Sequence, residues 1–122
     1  MDLEALRDYC LSLKGTSEDM PFGEDTLVFR VLGKIFLLTG INAEPLTANM
    51  KCDPERAIEL RETYSDIVPG YHMNKVHWNT VTLDALPAPF LKTLIAHSYD
   101  LVAASLKKAD REFLKSVTKA SD

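Results

Sequence analysis

Apolar residues recur at helical spacing at the start of the chain, where Leu3, Leu6, Cys10 and Leu13 form one stripe and Gly15 stands where a helix would end. This predicts a first helix over Asp2 to Lys14. Thr16 to Asp25 is polar and contains Met20-Pro21-Phe22-Gly23, so it reads as a connecting loop with Phe22 tucked inward. The period then changes to two. Thr26 to Thr39 holds two β-branched and aromatic runs around Gly33-Lys34, which predicts a hairpin with a type II′ turn at that dipeptide. In that register Val31 faces Phe36 and Phe29 faces Leu38, and Leu27, Phe29, Val31, Phe36 and Leu38 share the core side. The other face, with Val28, Arg30, Leu32, Ile35, Leu37 and Thr39, is too apolar to be fully wet.

Leu46 to Cys52 alternates Leu46, Ala48, Met50 and Cys52 against Thr47, Asn49 and Lys51, the pattern of a half-buried third strand. Asp53-Pro54-Glu55 follows as an N-cap, a first-turn proline and a first-turn acid, predicting a second helix to about Tyr64 with its Glu/Arg side in solvent. Tyr71-His72-Met73 and Val76 to Leu83 read as two strands around Asn74-Lys75. In the second, His77, Asn79, Val81 and Leu83 lie on one face and Val76, Trp78, Thr80 and Thr82 on the other. Neither face is purely apolar, so the pattern does not orient the strand. Phe90 to Lys107 is the longest helical pattern, with Leu91, Leu94, Ile95, Ser98, Leu101, Val102, Ser105 and Leu106 in one stripe. The order is α-β(3)-α-β(2)-α: a two-layer α+β arrangement with an antiparallel sheet.

At 122 residues and 46% apolar content, one domain with one core is expected over residues 1–122. Residues 1–107 would form its core, and 108–122 a basic-leaning tail that is helical in part. Apolar runs stop well short of the roughly 20 residues needed to cross a bilayer, and the first residues carry no basic head or apolar core of a signal peptide. A cytoplasmic protein with no membrane partner is the expectation. Cys10 and Cys52 cannot make a disulfide framework and lack C-x-x-C spacing, so both read as reduced and buried. The net charge of −4 excludes a globally basic surface, and any role with nucleic acid then needs a local patch.

Gly70-Tyr71-His72-Met73-Asn74-Lys75, then His77-Trp78-Asn79-Thr80-Val81, then Leu94-Ile95 and Ser98-Tyr99-Asp100-Leu101-Val102, together with Met20-Pro21-Phe22-Gly23, resemble the MmcQ/YjbR family. The resemblance covers Leu3 to Leu106. It implies an α-β(3)-α-β(2)-α fold similar to type III secretion chaperones, the order already read from the residues, and it implies DNA binding. The tail beyond Lys107 departs from the family's short ending.

His72 and His77 have no third ligand at metal spacing, so no metal site is expected. No G-x-S-x-G or Cys/His arrangement offers a nucleophile, and no Gly-rich loop cradles a phosphate; neither an enzyme nor a cofactor is expected. The densest polar and aromatic stretch is Pro69 to Leu83. Lys75, at a hairpin tip, is the leading phosphate contact, joined by Lys34 at the other tip and by Arg30 and Lys51 on the outer sheet face. Trp78, His72 and Asn74 complete the nucleic-acid-binding set, Trp78 by stacking on bases unless it is core. Tyr99-Asp100 is expected to bond His72 or Asn74. The leading reading is thus a DNA-binding domain that grips backbone phosphates through its hairpin tips. The alternative is a protein- or peptide-binding module, dimeric or client-bound through the apolar outer face.

Overall fold

The computed structural model describes residues 1–71 and 73–117 of the 122-residue chain. In chain order the elements are α1 (Leu3–Ser12), β1 (Thr16–Asp19), β2 (Thr26–Val31), β3 (Lys34–Gly40), β4 (Thr47–Lys51), α2 (Pro54–Thr63), β5 (Ile67–Pro69), β6 (Trp78–Thr82), α3 (Ala88–Ala104) and α4 (Lys108–Ser116). The strands form one antiparallel sheet in the order β1-β2-β3-β4-β6-β5. The α+β architecture is the one read from the sequence, with an added edge strand and an added helix.

The first two helices begin where a side-chain acceptor meets their free N–H groups. Asp2 Oδ1 accepts from Ala5 N at 2.8 Å, and Asp53 Oδ2 accepts from Arg56 N at 3.2 Å just ahead of Pro54. The helices pack on one face of the sheet. There Leu6 and Cys10 of α1 and Leu91, Leu94, Ile95 and Val102 of α3 join Leu27, Phe29, Val31, Ala48, Met50, Ile67 and Val81 in a single buried cluster. Burial pushes the Cys10 thiol up to about 12, so it stays protonated and unreactive. Cys52 is likewise a buried free thiol. Among the described residues no helix is long and apolar enough to cross a membrane.

Three expectations change. Thr16–Asp19 is a strand, not loop, because tertiary pairing with β2 overrides its polar composition. Its charges are met from neighbours, Glu18 by the Arg7 guanidinium of α1 and Asp19 by Arg30 at 2.9 Å. The β2–β3 turn is centred on Leu32-Gly33, not Gly33-Lys34. Both residues have positive φ, 44° and 89°, which is the type I′ pattern, and Leu32 tolerates it because its side chain packs against the core. The register follows: Val31 pairs with Lys34, Arg30 with Ile35, and Phe29 with Leu37, leaving Phe36 as the extra residue of a bulge. Phe36 and Leu37 are therefore both buried, and Leu38 turns outward to the face assigned to Leu37.

The third change concerns the stretch from Tyr71. Residues 70–77 are a connection between β5 and β6, and the strand that pairs with Trp78–Thr82 is Ile67–Pro69. Within β6 the alternation holds, with Asn79 and Val81 in the core and Trp78 and Thr80 on the outer face. Tyr99 donates its hydroxyl to Lys14 O at 2.5 Å instead of reaching the 70–77 connection, and its ring meets Phe36 edge-on at 5.5 Å. The tail is helical to Ser116 and anchored by the buried Leu114; the rest of the expected tail, residues 118–122, lies outside the described residues.

Candidate functional site

The face of the sheet turned away from the helices holds a cleft. Ile35 and Leu38 of β3, Thr47 and Asn49 of β4 and Trp78 of β6 form its floor. Phe22, from the β1–β2 connection, and Tyr71 and Met73, from the β5–β6 connection, rise beside it and enclose a cleft of about 550 Å³. That volume suits one small ligand or a few residues of a chain. Phe22 and Tyr71 are 64% and 68% exposed, so the walls are apolar surface left in water. Among the described residues no Asp, Glu, Lys or Arg lines the cleft.

The wall carrying Tyr71 and Met73 is held from three sides. Gly70 N donates to Trp78 O at 2.8 Å, and a Cβ on Gly70 would lie 2.8 Å from Trp78 Cβ, so only glycine permits this approach. Asn74 Oδ1 accepts from Val76 N at 2.9 Å, an Asx turn that closes the loop on itself. The third hold comes from α2. Arg61 donates through Nε to Asn79 Oδ1 at 2.6 Å and through Nη2 to the carbonyl of Lys75 and, at 3.3 Å, to that of Trp78. Arg61 is thus a structural clamp and not part of a solvated face. The overlooked signal was Asn79 itself, an amide in the stripe Asn79, Val81, Leu83 that had to find a partner once buried.

On the helix side, α3 fixes the corner where β4 passes into α2. Ser98, fully buried, donates to Phe36 O at 2.6 Å and accepts from Lys51 N at 2.7 Å, bridging β3 and β4 just beyond their last paired residues, Leu37 and Met50. Its neighbour His97 accepts from Asp53 N at 3.1 Å through Nε2. Burial and the nearby Arg56 guanidinium hold the His97 imidazole below its ordinary value, which keeps that nitrogen available as an acceptor.

The antiparallel order puts the β2–β3 turn, the end of β4 and the β5–β6 connection at one end of the sheet, so Arg30, Lys34, Lys51, Asn74, Lys75 and Trp78 are gathered there. Their surroundings differ. Lys34 pairs with the inward Val31 and lies on the helix side, where its ammonium donates to Ser105 O at 3.1 Å and caps α3; it does not face the cleft. Arg30 is on the outer face but is taken up by Asp19 at 2.9 Å and Gly33 O at 3.0 Å. Lys75 is exposed and donates to Gly70 O at 3.2 Å, a contact that leaves its charge unneutralised. Lys51 lies directly opposite Trp78 in the register, and its ammonium makes no hydrogen bond or ion pair among the described residues. His72 lies outside the described residues. Among those described, no three His, Cys, Asp or Glu side chains converge as metal ligands.

The fold recurs in known proteins. A solved Deinococcus radiodurans protein, DR2400, described as a DUF419 domain, superposes with a TM-score of 0.87 at 44% identity over 93% of this chain and 88% of its own. The uncharacterized Escherichia coli O157:H7 protein YbdF is 38% identical over 93 residues, 75% of this chain and 76% of that protein. The uncharacterized protein YjbR of Escherichia coli strain K12 is 29% identical over 115 residues, 93% of this chain and 98% of its own. The YjbR family model matches residues 11–101, a span that includes the cleft floor, both of its walls and the Arg61 clamp, and the chain belongs to the YjbR family.

Proposed function

We propose that this protein is a binding module and not an enzyme, and that it takes single-stranded nucleic acid across the outer face of its sheet. One observation carries the reading: an uncharged cleft walled by aromatic side chains opens beside Lys51 and Lys75, so bases and phosphates find complementary surfaces side by side. Bases stack on aromatic rings only when unpaired, and a cleft of about 550 Å³ suits individual bases better than a duplex. Contact through the tip at Lys34 plays no part, since that ammonium is engaged with α3. The net charge of −4 keeps the rest of the surface from binding polyanions without discrimination.

The test is a titration of Trp78, the only tryptophan, with a short single-stranded oligonucleotide at low salt. Fluorescence should be quenched, and the logarithm of the affinity should fall linearly with that of the salt concentration, with a slope of roughly −0.7 per phosphate contacted. Lys51→Glu combined with Lys75→Glu should abolish the quenching. No response at low ionic strength would reject the assignment.

A second reading has its own support. Phe22, Val68, Tyr71 and Val76 are all exposed, an apolar margin suited to a peptide or a second copy of the chain. Association of that kind would persist in high salt and fail in Phe22→Ser, whereas nucleic-acid binding would fade as salt rises.

A further inference from the structure

We infer that the floor of the cleft reads a carbonyl, so that the group seated there is a flat, uncharged ring presenting an acceptor: a thymine or uracil base in preference to adenine. The inference rests on the nucleic-acid reading and adds to it which bases are favoured.

The argument starts from a chain of three groups. Tyr71 N, which can only donate, bonds Thr80 Oγ1 at 3.0 Å, and the Thr80 hydroxyl in turn donates to Asn49 Oδ1. No other acceptor among the described residues takes the Thr80 proton, so the hydrogen-bond direction orients the amide, with Asn49 Oδ1 toward Thr80 and Nδ2 turned away. That Nδ2 makes no hydrogen bond among the described residues and is not a buried orphan, unlike Asn79 Nδ2, and Asn49 lies on the cleft floor. The floor of the uncharged cleft therefore offers a fixed donor.

Charge and shape supply the rest. Without a lining charge, an ionised group would enter at a desolvation cost that nothing offsets, while Trp78 and Phe22 offer ring faces for stacking. Thymine and uracil carry a carbonyl on each side of the ring nitrogen, so either way of entering brings an acceptor to the amide. Adenine's acceptors N1 and N7 each sit beside the N6 amino group, itself a donor, so a fixed amide donor meets an acceptor in only some of the stacked poses and a donor in the others, which leaves adenine roughly fivefold to tenfold weaker bound.

Two titrations of Trp78 fluorescence separate this inference from the reading beneath it. With free nucleosides, thymidine should quench at concentrations fivefold to tenfold below those needed for deoxyadenosine. Asn49→Asp, which keeps an acceptor for Thr80 and removes the donor, should erase that preference. Asn49→Ala, checked for an unchanged thermal melt, should do the same. Equal responses to the two nucleosides, no response to either, or a preference that survives both variants would overturn the inference. With oligothymidylate against an abasic strand of equal length, quenching by neither overturns the nucleic-acid reading. Tight binding of both strands equally retains phosphate recognition and overturns base reading.

Discussion

Two connections close the same end of the sheet, and they are built on opposite principles. The β2–β3 turn is two residues long and takes its form chiefly from its own backbone, with Leu32 and Gly33 both at positive φ and Leu32 N bonded to Gly15 O at 3.1 Å. Its cations are consumed nearby, Arg30 by Asp19 and Lys34 by the end of α3. The β5–β6 connection spans residues 70–77 and adds to its own local bonds, such as the Asn74 turn, a hold from another element, Arg61 of α2. A short turn can be specified locally, but a longer one that must present Tyr71 and Met73 to a cleft needs outside support. That difference explains why only the second borders the candidate site.

The contrast can be broken most directly at its strongest support. Arg61→Ala should cost about 3 kcal/mol in urea denaturation, because it removes several charge-assisted bonds and leaves Asn79 Oδ1 buried without a partner. Arg61→Lys should recover only part of this, since one ammonium cannot span acceptors that the guanidinium fork reaches. A cost no greater than that of a surface substitution would show that the connection stands without α2.

The glycines sharpen the comparison at a smaller scale. Gly70→Ala should cost about 2 kcal/mol and shift Trp78 emission, because the added methyl meets Trp78 Cβ and its carbonyl. Gly33→Ala meets nothing within 4 Å and pays only for its positive φ, about 1 kcal/mol, without touching Trp78. Equal effects at the two sites would erase the distinction between supported and self-sufficient turns.

A weaker, pH-gated effect belongs to the corner that carries Lys51. The folded state holds His97 below its ordinary value, so the unfolded chain takes the proton first as pH falls. Stability from this group should be complete above about pH 6.5 and decline as pH falls from there through the lowered folded value. His97→Gln, which can still accept from Asp53 N, should flatten that part of the profile. The smallest change is expected at Lys34→Ala, about 0.5 kcal/mol from the exposed cap on α3, with oligonucleotide affinity unaltered. Lys51→Ala should do the reverse, weakening the oligonucleotide while leaving the melt in place.

The helices, the central strands and most of the core were legible because their signals are local: capping residues, a 3.6-residue stripe, a two-residue alternation. What was hidden depended on partners distant in the chain. Thr16–Asp19 has no strand character of its own and becomes one only against β2. The bulge at Phe36 shifted the hairpin by a register that two-residue counting cannot see. Trp78, on the cleft floor, and Lys51 and Lys75, outside its lining, had been singled out by type and position, whereas Phe22 was expected to point inward and Asn49 was not singled out. Their importance comes from the sheet bringing β3, β4 and β6 side by side.

Ser98 ties these observations together mechanically. A single hydroxyl belongs at once to the hydrogen bonding of β3, of β4 and of the longest helix, at the point where the two strands separate. Helix and cleft floor are therefore stitched into one moving part, so a ligand resting on the exposed side should slow deuterium uptake by amides on the hidden side as well.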